Sequence, residues 1–311
     1  TGYRFASEGR ARTYLTNALE RWVSQLPLIG FEALAHEAAA VNEIKRGRRF
    51  TVVIGNPPYS LISANMEPTH RALVERYKFV AGERLKERGA LQLEKILNDD
   101  YVKFIAKSQD CLSAAGVGVL GLITNHAYLD NPTMRGLRHS FVATSARSFF
   151  LDLGGSAKKA NEEVDENVFD IQQGVAICVT VVSGIASEQA YCHARLSGVR
   201  EAKYKLLRGS SVADTVWSEL TPTSPYFLFV PTDYGLRSEY ERFVSLSEIF
   251  PLHSIGCFTS KDHFVISRDP RQLVANAKAF RDSKLADRDL CKSLEINPKE
   301  AWNVSRSREQ I

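Results

Sequence analysis

The chain has 311 residues, 44% of them hydrophobic and 24% charged, with a formal net charge of +4. This suffices for one large domain, or a domain with a smaller appendage, and excludes wholesale disorder. The mild positive charge permits a polyanionic partner without demanding one. No run of about 18 apolar residues occurs, so nothing is expected to span a membrane, and the opening residues do not read as a secretory leader. A cytoplasmic protein is expected. The five cysteines, Cys111, Cys178, Cys192, Cys257 and Cys291, are scattered and form no Cys-x-x-Cys pair. They read as reduced thiols, neither a disulfide framework nor a zinc site.

The sequence opens at Thr1 directly in structured-looking residues, as a piece of something longer would. "RTYLTNALE" (12–20) reads as a short strand ending at Thr16-Asn17. "FTVVIG" (50–55) is a continuous β-branched run, expected to form a strand buried on both faces. Residues 65–97 are charged and helix-favouring. In "NDDYVKFIAKSQDCLSAAG", Asn98 and Asp99 offer caps, Tyr101, Phe104, Ile105, Ser108 and Leu112 share one face, and Gly116 ends the helix. "VGVLGLIT" (117–124) predicts a strand, "TMRGLRHSFVA" (133–143) a helix, "SFFLDLGG" (148–155) a strand and "GVAICVTVVS" (174–183) the most apolar strand. Alternation of this kind indicates an α/β fold with a doubly wound sheet and ligands outside the carboxyl ends of its strands. Asn17, Asn56 and Asn125 end "YLTN", "VIGN" and "LITN", so the three could line one crevice, although Asn is also a common strand terminator. Residues 1–220 read as the α/β core. From 221 to 311 the proline-punctuated, then basic, sequence reads as a linker into a second unit.

The strand at 50–55 runs into Asn56-Pro57-Pro58-Tyr59. Two prolines fix two φ angles and restrict the residues before them, and neither carries an N–H. The corner is therefore rigid and rich in acceptors, with the Asn56 side-chain oxygen, the Pro57 carbonyl and the aromatic face of Tyr59. A planar aromatic amine suits it. The two oxygens would each take one N–H and turn the nitrogen lone pair toward an electrophile, while Tyr59 stacks on the ring. By residue usage alone, such a string arises in roughly one chain of this length in a thousand.

Asn-Pro-Pro-Tyr after such a strand resembles the catalytic motif of S-adenosylmethionine-dependent amino-group methyltransferases, above all the adenine-N6 DNA methyltransferases. "YVKFIAKSQDCLSAAGVGVLGLITNHAYLDNPTMRGLR", "LDLGGSAKK" and "DENVFDIQQGVAI" resemble the γ-class methyltransferase region of type ISP restriction–modification enzymes, and "IGCFTSKDHFVI" the opening of their target-recognition domain. The resemblance implies a Rossmann-like methyltransferase sheet, S-adenosylmethionine as cofactor, double-stranded DNA as partner, and nuclease and translocase domains on the same longer chain. It also implies site roles. Asn56, Pro57, Pro58 and Tyr59 hold the amine, and Phe169 closes the stack on a flipped base or is simply a core residue at a strand start. Asn17, with Thr16 as a weaker candidate, approaches the cofactor. The family's glycine-rich cofactor loop and its ribose-holding acid, which precede the motif, are not found here. Weak or no cofactor binding is therefore expected of residues 1–311 alone.

Remaining candidates are weaker. Lys158 and Lys159 could meet phosphate, but Glu162, Glu163, Asp165 and Glu166 follow at once, and a solvated polar loop reads better. Arg135 and Arg138 read as surface charges or, for Arg135, a DNA contact. Lys261 and Asp262 stand out only through the family-like string around them. The seven histidines show no metal spacing, and His126 is read as structural. Other acceptors that share the corner are a glutamine amide and RNA. The long stretch after the last apolar strand favours DNA. The absent cofactor loop leaves open a catalytically silent remnant.

Overall fold

Apolar runs alternating with amphipathic stretches build layers of helix on sheet. The computed structural model describes residues 13–20, 32–59, 63, 65–85, 90–157, 164–184, 188–251, 262–294, 296 and 304–308. They fall into two compact units, divided between Asp233 and Tyr234. The first begins with helix α1 (Glu32–Gly47), strand β1 (Val52–Gly55), helix α2 (Pro68–Val74) and the ribbon β2 (Phe79–Val80) and β3 (Glu83–Arg84). It continues with α3 (Ala90–Leu97), α4 (Asp100–Ala115), β4 (Gly118–Asn125), α5 (Arg135–Thr144), β5 (Arg147–Gly154) and β6 (Val175–Val182). The last elements are β7 (Ala190–Arg195), α6 (Arg200–Gly209) and β8 (Ser218–Leu220).

Six strands form one sheet in the order β1-β4-β6-β5-β7-β8. The pairs β1–β4 and β5–β7 are parallel, while β6 runs antiparallel between β4 and β5. This is a mixed, Rossmann-like α/β sheet. Val175 pairs with both Asn125 and Gly154, so the start of β6 meets the ends of β4 and β5 at one edge. The same edge receives the end of β1, since Gly55 lies beside Leu122.

Helix α4 stops where its sequence says. Gly116 takes φ 77°, a left-handed value that favours glycine, and its N–H reaches Leu112 O. At the other end, Asp99 occupies the N-cap position without a side-chain cap bond, and Asn98 donates to Glu94 O instead. Leu112, Leu120, Leu122, Tyr128, Leu137, Phe141, Phe150, Cys178 and Phe229 lie in the main core between the helices and the sheet. Phe150 and Phe229 stack at 4.2 Å, which brings a residue from beyond β8 into the core of the first unit. Helix α5 approaches closely at Gly136, where a Cβ would lie 1.9 Å from Tyr77 O.

Two expectations are corrected. Residues 13–17 form no strand and lead into a turn at 18–20. Strand β1 is not buried on both faces, for Val52 is 58% and Ile54 82% exposed. It sits at the end of the sheet order and pairs with β4 alone among the described residues. A β-branched run specifies extended backbone, but burial needs neighbours on both sides.

The second unit holds α7 (Arg237–Tyr240), α8 (Leu246–Ile249), α9 (Asp262–Val265), α10 (Pro270–Arg281), α11 (Asp287–Ser293) and α12 (Val304–Arg308). Phe280, Leu290, Leu294, Ile296 and Val304 form its own small core. Among the described residues, no helix is long and apolar enough to cross a membrane.

Candidate functional site

The rigid corner begins where β1 ends. The fit is close at Gly55, where a Cβ would lie 3.1 Å from Leu122 Cδ2. Asn56 and Pro58 are exposed, while Pro57 is buried and anchors the turn. Beside the corner lies a cavity of about 520 Å³, lined by Thr16, Phe50, Asn56, Pro57, Pro58 and Phe104 among others. The next residue, Tyr59, packs its ring with Phe169 at a centroid distance of 5.7 Å and a tilt of 51°. Both rings rest on the cluster of Leu153, Val168 and Val175. The Tyr59 hydroxyl is buried without a hydrogen-bond partner among the described residues, and burial pushes its pKa up to about 12. The corner thus lines a ligand-sized cavity with Asn56, Pro57 and Pro58 and contributes Tyr59 to an aromatic pair.

Phe169 lies between β5 and β6, in the stretch 164–174, which is densely tied down. The Asp165 side chain is 4% exposed, not solvated as the acidic run suggested. It accepts from Lys203 Nζ at 2.6 Å and from the N–H groups of Gly155 at 3.1 Å and Gly198 at 3.4 Å. Burial alone would raise this carboxyl, but the Lys203 bond and charge and the backbone donors hold it below its ordinary value. Buried Asn167 donates to Gly155 O and Gln173 O and accepts from Phe169 N–H, bridging the two ends of the loop.

The neighbouring strand end carries a second pair. His126 Nδ1–H donates to Asp152 Oδ1 at 2.9 Å, and the same oxygen accepts from Gly154 N–H. Burial again opposes ionisation of Asp152, and the bonds from His126 and Gly154 outweigh it to lower its pKa. Gly174 backs onto the imidazole, where a Cβ would lie 2.3 Å from His126 Nε2. The sequence did not reveal this carboxylate partner of His126.

Other sequence candidates scatter. Thr16 lines the cavity, whereas the Asn17 side chain donates to Asn65 and Glu20 and accepts from Leu19 N–H. Asn125 accepts from Ala127 N–H and caps the short 3₁₀ turn His126–Leu129, so the three asparagines do not share one crevice. Arg135 is half-buried and donates to Pro132 O. Arg138 is fully buried, not a surface charge, and donates to Tyr128 O, Asn131 O and Tyr226 O. Lys158, Lys159 and Lys261 lie outside the described residues. No group of His, Cys, Asp and Glu among the described residues could hold a metal ion.

The sequence reading missed Arg200, Lys203 and Tyr204, although a signal was present. Their spacing in "REAKYKLL" places them, with Leu207, on one helix face. That face turns toward the Phe169 loop.

Residues 10–158 match the family model described as Eco57I restriction-modification methylase. No curated protein sequence matches the chain. Among solved structures, the chain is similar to the ATP-dependent Type ISP restriction-modification enzyme LlaBIII bound to DNA. The TM-score is 0.62 at 20% identity, over 96% of this chain and 21% of that one. A nuclease-deletion mutant of the Type ISP enzyme LlaGI with a DNA substrate mimic gives 0.56 at 19% identity, over 89% and 28%. The DrdV–DNA complex gives 0.55 at 18%, over 90% and 30%. The chain therefore spans between 21% and 30% of the length of these structures. Residues 10–158 are thus similar to a restriction–modification methylase family, and the chain shares its fold with Type ISP enzymes.

Proposed function

We propose that this region transfers a methyl group from S-adenosylmethionine to the N6 amino group of an adenine flipped out of double-stranded DNA. The observation that carries the reading is the Asn56–Tyr59 corner, whose Asn56, Pro57 and Pro58 line a cavity and whose Tyr59 pairs with Phe169. The family match and the DNA-bound state of the similar structures support it.

The cavity suits a nucleoside-sized cofactor. Its volume of about 520 Å³ falls within the usual range for small-molecule sites, and its polar groups include Thr16 and Asn56. When bound, the cofactor supplies an electrophilic methyl carbon on a sulfonium. The chain's own residues do the rest. The Asn56 side-chain oxygen and the Pro57 carbonyl accept the two N–H groups of the amine and turn its lone pair out of the ring plane. Tyr59 and Phe169 hold the extruded base, which is unreachable while stacked in the duplex. The corner offers neither an acid nor a histidine, and none is needed before the new bond forms.

On this reading residues 1–220 are the catalytic core, and residues 221–311 lead into target recognition. Nuclease and translocase domains belong to the same longer protein. The test is Asn56→Ala in that longer protein, expressed in a host without other adenine methylation. The N6-methyladenine content of genomic DNA is measured by mass spectrometry. A rate loss of about 10²–10³-fold is expected. Undiminished methylation would sink the role of Asn56, and a wild-type chain that leaves adenine unmodified would sink the function.

A further inference from the structure

Four consecutive carbonyls of the Phe169 loop are each taken by a side chain of α6. Lys203 Nζ donates to Glu166 O at 2.6 Å, and Arg200 Nε donates to Asn167 O at 2.7 Å. The Tyr204 hydroxyl donates to Val168 O at 2.5 Å, and Arg200 Nη2 donates to Phe169 O at 3.2 Å. Arg200 also pairs with the Asp170 carboxylate at 2.7 Å, so its fork reaches Asn167, Phe169 and Asp170. A loop between two strands has no ladder to satisfy these oxygens, and water would ordinarily do so. Here one helix face holds the backbone at the residue whose ring meets Tyr59.

We infer that α6 braces the aromatic half of the base site, with Arg200 and Tyr204 as positioning residues that act through Phe169. The inference rests on the function proposed above and extends it to residues that touch neither base nor cofactor. A ring already fixed in the free protein need not be ordered when the base arrives, so the stacking contact is realised in full during methyl transfer. Arg200 cannot be replaced by lysine in this role, because an ammonium lacks the planar fork that reaches two carbonyls and a carboxylate together.

The experiment uses the longer protein that contains these residues and unmethylated genomic DNA, with Arg200→Met, Arg200→Lys and Tyr204→Phe compared with Glu201→Gln on the exposed face of α6. Arg200→Met and Tyr204→Phe are each expected to lower kcat about ten-fold, with the KM for S-adenosylmethionine unchanged. Arg200→Lys should recover little, and Glu201→Gln should match wild type. In a Phe169→Ala background the same substitutions should add less than about two-fold, because their effect passes through the missing ring. Full additivity with Phe169→Ala, or wild-type kcat in both variants, overturns the inference. Hydrogen exchange tests the brace apart from activity. Arg200→Met should speed exchange in 164–174 and leave β4 unchanged, even in a chain that methylates nothing. Unaltered exchange at 164–174 overturns the brace whatever the fate of the proposed function.

Discussion

Replacing Lys203 by Met tests how the edge of the sheet is held together. The ammonium is fully buried and donates to Leu153 O, Asp165 Oδ1 and Glu166 O, each at 2.6 Å. Met keeps the apolar stem and removes all three donors. Two carbonyls and a carboxylate that is 4% exposed then lose their common partner. Breaking a buried pair from one side costs about 3–5 kcal/mol. Asp165 retains Gly155 N–H at 3.1 Å and Arg195 at 3.5 Å, which puts the expected loss at the lower end, about 3 kcal/mol. With a urea slope of roughly 2–3 kcal/mol per molar, the unfolding midpoint falls by about 1 M. The pH dependence gives a second arm. The Asp165 pKa is held below its ordinary 3.8 in the fold, so its stabilisation is present above that value and is lost as pH falls through the folded value. The gap between wild type and variant should be full at pH 7 and smaller at pH 3, read by urea unfolding with circular dichroism. A loss under about 1 kcal/mol at pH 7, or a gap of equal size at pH 3, refutes the reasoning.

Tyr59→Phe removes a buried hydroxyl that has no partner among the described residues, so methylation should persist and thermal stability should hold or rise, whereas Tyr59→Ala should lose activity. With its pKa near 12, Tyr59 stays neutral to about pH 10, and an alkaline limb of the rate that vanishes in Tyr59→Phe would contradict this. Gly174→Ala places a Cβ 2.3 Å from the His126 ring and should cost about 1–3 kcal/mol by overpacking, checked by thermal unfolding. Unchanged stability there would mean that the imidazole moves aside without cost.

Much of the site's chemistry was legible as a local string. Asn56-Pro57-Pro58-Tyr59 carries its own rigidity, because proline fixes φ wherever it occurs, and Gly116 ends α4 for an equally local reason. The aromatic partner was legible only through resemblance. Phe169 lies 110 positions beyond Tyr59, and no periodicity links them, yet the rings meet at 5.7 Å. Asn17, Asn56 and Asn125 looked equivalent as strand-end residues. Their fates diverged because a short amide bonds whatever backbone or side chain lies nearest, and that is set by the surrounding loops.

By itself, the sequence determined strands β1, β4, β5 and β6, the length of α4 and the stiff acceptor-rich corner, since each depends on interactions within a few residues. Tertiary structure decided burial and partnership. It left β1 exposed at the end of the sheet order and sank Arg138 among three carbonyls. It also turned an apparently solvated acidic loop into one bolted to α6 through Asp165 and Lys203. A charge in a string reads as solvated because its cost of burial is high. Only the fold can supply the opposite charge and the carbonyls that offset that cost.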